Sequence, residues 1–150
     1  MSYQRSWRFT GLLWWFLGIL AAVDISAPLL LGPIEPPIQL HHVEHGLLMM
    51  IGGAFGFHLA RRRYAGHGAT PGWLLVAVLL SGVAVVMMVP DLYGYVDTHP
   101  LAHAALHLGF LVNGWIATYA AERYSRGFGA VWLVMMFAMM AITATGFGIQ

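Results

Sequence analysis

Residues 40–63 read LHHVEHGLLMMIGGAFGFHLARRR. From Leu40 to Ala60 the run is apolar, small or histidine apart from Glu44, and Arg61, Arg62 and Arg63 close it. That length matches the ~20 residues a helix needs to cross ~30 Å of hydrocarbon. Inside a bilayer the backbone must satisfy its own hydrogen bonds, which a helix does within one segment. Four further stretches share the pattern: Thr10–Leu31 before it, and Trp73–Val89, Leu101–Ala121 and Phe128–Phe147 after it. The residue-by-residue alternation of a membrane barrel strand is absent. The expected fold is all-α, an integral membrane bundle of five transmembrane helices forming one domain over residues 1–150.

Composition agrees. Hydrophobic residues make up 59% of the chain and charged ones 9%, with a mean hydropathy of +0.72, values that leave a soluble 150-residue domain too little polar surface. Short linkers, chiefly the stiff turn 32–37 and the looser loop 65–72, leave no separate soluble module. No serine or cysteine nucleophile constellation, phosphate-binding glycine loop or basic patch is present, which argues against hydrolase, nucleotide-binding and nucleic-acid functions.

Arginine predicts the orientation, since the seven basic residues are all arginine. Arg5 and Arg8 precede the first span, Arg61, Arg62 and Arg63 follow the second, and Arg123 and Arg126 follow the fourth. In a five-span chain these all fall on one side, and the positive-inside rule makes that side cytoplasmic. Glu35, Asp91 and Asp97 fall in the opposite loops. The amino terminus is then inside and the carboxyl terminus outside, in a bacterial-type plasma membrane. The first span has the arginines, apolar core and trailing Ala21-Ala22 of a secretory signal, and is read here as a retained helix.

Histidine carries the functional signal. His41-His42-Val43-Glu44-His45 and His103-Ala104-Ala105-Leu106-His107 each contain an i, i+4 pair, so both imidazoles lie on one helix face a turn apart and can converge on one metal. With His99, six of the eight histidines gather at the outer face, and histidine in hydrocarbon is costly without a partner. A displacement of 62 residues brings His41 onto His103 and His45 onto His107, and with a two-residue slip Arg63-Tyr64 onto Arg123-Tyr124. The pattern suits a tandem two-helix repeat, spans two and three matching spans four and five, with both clusters at one level.

Nearby residues qualify this picture. Glu44 lies beside His45 and one turn from His41, where a carboxylate needs a metal, a histidinium or water. Asp24 reaches a similar depth, although Ser26 and Pro28 suggest a broken, hydrated helix end that could house it. Met49-Met50 lie about one turn inside His45 and Met87-Met88 near the outer end of span three, where a mixed histidine and methionine environment suits copper(I), although packing is the commoner role of any single methionine, and Met135-Met136 and Met139-Met140 read as packing. Trp7, Trp14, Trp15, Tyr93 and Tyr95 read as interfacial anchors. Gly52, Gly53, Gly56 and Gly114 permit close helix approach. His58 is too far along its helix to share a metal with His45, and His67 sits on the inner side. Zero cysteines exclude disulfides, thiolate copper sites and covalent haem attachment.

Ile25-Ser26-Ala27-Pro28-Leu29 followed by His41-His42-Val43-Glu44-His45-Gly46-Leu47-Leu48-Met49 resembles the serine-proline-leucine stretch and the His-Met-x-Gln-His-Leu-Leu-Leu signature of CtaG-type cytochrome c oxidase assembly factors. His41 and His45 fall on the signature histidines, with His42 in place of methionine and Glu44 in place of glutamine. The resemblance covers residues 25–49 and implies an outward-facing copper-handling site that supports oxidase biogenesis.

Three readings follow. In the first, the chain is a copper-binding assembly protein with His41, His45, His103, His107 and Glu44 as metal ligands. In the second, it is a b-type haem subunit of a respiratory membrane complex, with His45 and His107 as axial ligands and quinone as electron partner. In the third, it is an accessory scaffold subunit whose histidines sit at a wet interface. In each, membrane lipid and subunits of a respiratory complex are the expected partners, and the chain is not expected to act as an independent enzyme. A reporter active only outside the cytoplasm is expected to work when fused after Gln150 and to fail when fused near Gly66; the reverse pattern would move both histidine clusters to the inner face.

Overall fold

A computed structural model describes residues 3–31, 38–63, 70–87 and 89–146. They form six helices and no strand: α1 (Tyr3–Leu31), α2 (Ile38–Arg63), α3 (Pro71–Val86), α4 (Pro90–Asp97), α5 (Pro100–Tyr124) and α6 (Phe128–Gly146). The turn 32–37 with Glu35, most of the loop 65–72 with Tyr64 and His67, Met88 and residues 147–150 lie outside the described residues, as do the side chains of Arg5, Trp7, Arg8, Arg63, Asp91, Tyr93 and Asp97. Three helices are long and apolar enough to cross a membrane, over Leu12–Leu31, His41–Arg62 and Pro100–Tyr124; Pro71–Val86 and Phe128–Ile142 are apolar but shorter.

The segment after the third expected span is where the sequence reading departs from the fold. The helix ends at Val86, Val89 turns extended (φ −63°, ψ 129°), and Pro90 opens the separate helix α4. Proline disfavours the α conformation in the residue before it and is well placed in a first helical turn, so Val89-Pro90 ends one helix and starts another. What reads as an outer loop carrying Asp91 and Asp97 is therefore largely helical.

The long helices packed around the central pair α2 and α5 run opposite to it. Trp14 of α1 meets Phe55 and His58 of α2 while Asp24 meets His107 of α5, so α1 runs against both. Trp73 of α3 meets Tyr119, and Leu80 accepts a hydrogen bond from Asn113 Nδ2 at 2.7 Å, so α3 runs against α5. Gly46 lies on Phe137 and Met140, and Gly53 on Leu133, so α6 runs against α2. Helices α2 and α5 are parallel neighbours at the centre, with α3 docked on α5 and α6 docked on both.

Glycine lets the central pair approach. A Cβ added to Gly52 would run into the carbonyl oxygen of Leu111, one on Gly56 into that of Trp115, and one on Gly114 into that of Met49. Gly52 and Gly56 form the small-xxx-small spacing of close membrane-helix contacts. Around this seam the usual polarity is inverted. His41, His42, His45, His103, His107, Asn113, Thr118 and Glu122 are buried, while Trp15, Phe16, Leu30, Leu101 and Ile142 are more than 60% exposed. Apolar flanks around a polar interior are stable in lipid and costly in water.

The end opposite the histidines is tied by Glu122, which the sequence reading did not single out. Its buried carboxylate accepts from the backbone N–H of Gly127 at 2.9 Å and of Gly129 at 3.1 Å, and from Arg61 Nε at 3.2 Å. It thus satisfies amide donors at the start of α6 and neutralises an arginine from the end of α2. Gly127 turns the chain between α5 and α6 with φ 87°, a left-handed value that favours glycine. Trp14, expected as an interfacial anchor, packs edge-on against Phe55 at 5.9 Å.

The Gly114→Ala variant is expected to lose about 1–3 kcal/mol of stability, because the added methyl meets backbone rather than a movable side chain. Gly109→Ala, where nothing lies within 4 Å, should change stability by under ~1 kcal/mol. Thermal unfolding in detergent distinguishes the two, and equal effects would refute the close seam.

Candidate metal centre

Two helices supply the site because each carries histidines at a four-residue spacing and the glycine seam holds them in parallel. His41 and His45 on α2 then face His103 and His107 on α5. One nitrogen from each of the four rings lies within 4.8 Å of the others, and the four residues are between 0% and 4% exposed. His103 Nε2 is 2.9 Å from His41 Nε2 and 3.0 Å from His107 Nε2. Nitrogens bound to a tetrahedral ion at ~2.0–2.1 Å stand roughly 3.3 Å apart, so these two separations are already near that spacing. The four buried histidines could hold a metal ion.

Neighbouring oxygens orient these rings. His41 Nδ1 lies 3.1 Å from Glu44 Oε2, and a carboxylate accepts, so the neutral ring carries its proton on Nδ1 and its lone pair on Nε2. His107 Nδ1 lies 3.3 Å from the backbone carbonyl oxygen of Asp24 and 3.1 Å from its Oδ2. A carbonyl can only accept, which assigns the same tautomer to His107 from its partner. Both Nε2 lone pairs therefore face His103, the arrangement in which an outer carboxylate or carbonyl fixes a metal-binding imidazole. His45 is held differently, stacked on Phe110 with ring centroids 4.5 Å apart.

Pro28 explains why the Asp24 carbonyl is available. In a regular helix that oxygen would accept from the N–H four residues on, but residue 28 is proline and has no N–H. Helix α1 nevertheless continues through Pro28 to Leu31, so the broken helix end expected around Ser26 and Pro28 does not occur. The oxygen freed within α1 is instead used by α5. A proline four residues after an aspartate in an apolar helix was the available signal; its partner 83 residues away was not.

The other sequence candidates separate from this cluster. Glu44 stands behind His41, bonded to the nitrogen that faces away from the other rings. His42 is buried beside the site with its ring 6.3 Å from that of His45. His58 packs on Trp14 at 5.3 Å, towards the arginine end. Met49, Met136 and Met140 belong to the apolar core. His45 and His107, the pair considered for haem, touch edge to face with centroids 4.9 Å apart, leaving no slot between them for a porphyrin plane. An apolar cavity of about 470 Å³ lies deeper, between α1 and the central pair, with Trp14, Gly18, Phe55 and Trp115 in its wall and none of the four histidines.

No family model, curated protein or solved structure matches the chain.

If the four rings make one centre, His45→Ala and His107→Ala should each remove most bound metal, and the double variant should lose little more. Metal content of purified variants, measured by elemental analysis, tests this. Independent and additive losses would mean two separate sites.

Proposed function

We propose that the chain is a five-span protein of a bacterial-type plasma membrane that binds copper near the outer face and serves the assembly of a respiratory oxidase. The observation that carries the reading is the convergence of His41, His45, His103 and His107 at one buried point. Four imidazoles make a nitrogen-rich site of the kind that suits copper and zinc, and no thiolate is available to compete. Copper is favoured within that group by the resemblance of residues 25–49 to CtaG-type assembly factors.

Five spans are supported by the alternating helix directions and by the apolar outward residues of the two shorter helices. Leu75, Leu79 and Val83 on α3, and Val131 and Val134 on α6, are exposed, as befits surfaces that meet lipid. Arg61, Arg62, Arg123 and Arg126 gather at the end away from the histidines, which supports placing that end in the cytoplasm. Its role in this reading is to hold an ion and pass it to a neighbouring protein of the respiratory chain. Lipid-facing surfaces and short connections suit work beside such a partner.

The experiment is metal analysis of protein purified in mild detergent from copper-replete cells, with a visible spectrum before and after dithionite. About one copper per chain, removed by a chelator and absent from the His103→Ala variant, is the expected result. Sharp reduced-haem bands would replace this reading with an electron-transfer subunit, and a metal-free protein that takes up none would leave only a scaffold.

A further inference from the structure

The buried centre poses a question of access: its ligands are 4% exposed or less, and an ion must shed its water to reach them. His99 lies at the aqueous end of the same helix. His99, His103 and His107 recur every four residues, and the backbone N–H of His103 donates to the His99 carbonyl at 2.9 Å, so His99 begins the first turn of α5, one turn above His103. The ring is exposed, whereas those of His103 and His107 are buried. The three together form a gradient from water to the centre.

The ring of His99 is also held as a ligand would be. Its Nδ1 lies 2.8 Å from the backbone carbonyl oxygen of Tyr95 and 3.1 Å from Thr98 Oγ1. Because a carbonyl only accepts, the proton sits on Nδ1 and the lone pair on Nε2, the tautomer already assigned to His41 and His107. The ring stacks on Tyr95 with centroids 4.2 Å apart and planes 24° from parallel, which limits its rotation. His99 occupies the N-cap position of α5 but makes no side-chain capping bond there; its bond to Tyr95, in the last turn of α4, caps that helix through Nδ1 and does not engage Nε2.

We infer that His99 is the uptake ligand of the buried centre: it captures a hydrated transition-metal ion at the aqueous end of the bundle and passes it one turn down to His103. Exchange of water for successive imidazoles lets the ion enter without being stripped in one step. No bond other than metal–ligand bonds is made or broken, and no electron moves. The inference rests on the metal-site reading, and it assigns His99 a part in the rate of loading rather than in the final ligand set.

The test is stopped-flow loading of Cu²⁺ into chelator-stripped protein in lipid nanodiscs, followed by release into excess chelator. His99→Ala should slow loading and release alike, each about tenfold, while stoichiometry and affinity stay within twofold. A relay lowers one barrier crossed in both directions, and Kd is the ratio of the two rates. His99→Glu, which restores a ligand at the same place, should recover most of the loading rate. Unchanged loading in His99→Ala would overturn the proposal, as would lost stoichiometry with unslowed release, the mark of a structural role. Wild-type protein that takes up no Cu²⁺ would overturn the metal-site reading and this inference with it.

Discussion

The approach of α2 to α5 sets the scale for everything around it. Three glycines, Gly52, Gly56 and Gly114, stand where a Cβ would strike the opposing backbone, so the two helices meet main chain to main chain. In lipid no hydrophobic effect drives helices together, and such close van der Waals contact is what small residues provide. The same closeness puts His41 within hydrogen-bonding distance of His103. Helices spaced by leucines would hold these rings apart, and two histidine pairs would then be two unrelated features of two helices.

From that seam outward the molecule is organised by where polar groups can be satisfied. At one end four imidazoles share a buried space and draw on Glu44 and Asp24 for orientation. At the other, Glu122 collects two backbone amides and Arg61. Between them the interior is alanine, methionine and aromatic rings, with isolated bonds such as Trp132 Nε1 to Ser81 Oγ at 3.0 Å. The two polar ends differ in kind. Each Glu122 oxygen already accepts hydrogen bonds, whereas the histidine end turns the Nε2 lone pairs of His41 and His107 towards His103, an arrangement that a cation complements.

Helix α1 has a particular part in this. Its outward face carries Leu12, Trp15, Phe16 and Ile19, all exposed, and among the long helices it has the thinnest contact with the bundle core. Its polar link to the centre is Asp24, reached because Pro28 leaves a carbonyl oxygen without its helical donor. A helix that would otherwise be a peripheral span thereby fixes the orientation of His107.

Much of this was legible in the chain as written. Apolar run lengths identified the helices, because 1.5 Å of rise per residue leaves little freedom in how hydrocarbon is crossed. The i, i+4 spacing of His41 with His45 and of His103 with His107 placed each pair on one face, because helical geometry is local. Other features were not legible. The helix α4 was not legible, because Pro90, Asp91 and Asp97 after the apolar run ending at Val89 read as a loop, and Glu122 was not singled out. The pairing of Asp24 with His107, and the place of Glu44 behind His41 instead of among the converging nitrogens, depend on contacts between helices distant in sequence. Periodicity within a helix reports which face a residue occupies; which face of another helix it meets, at what height and at what distance, is decided only when the glycine seam closes and the bundle packs.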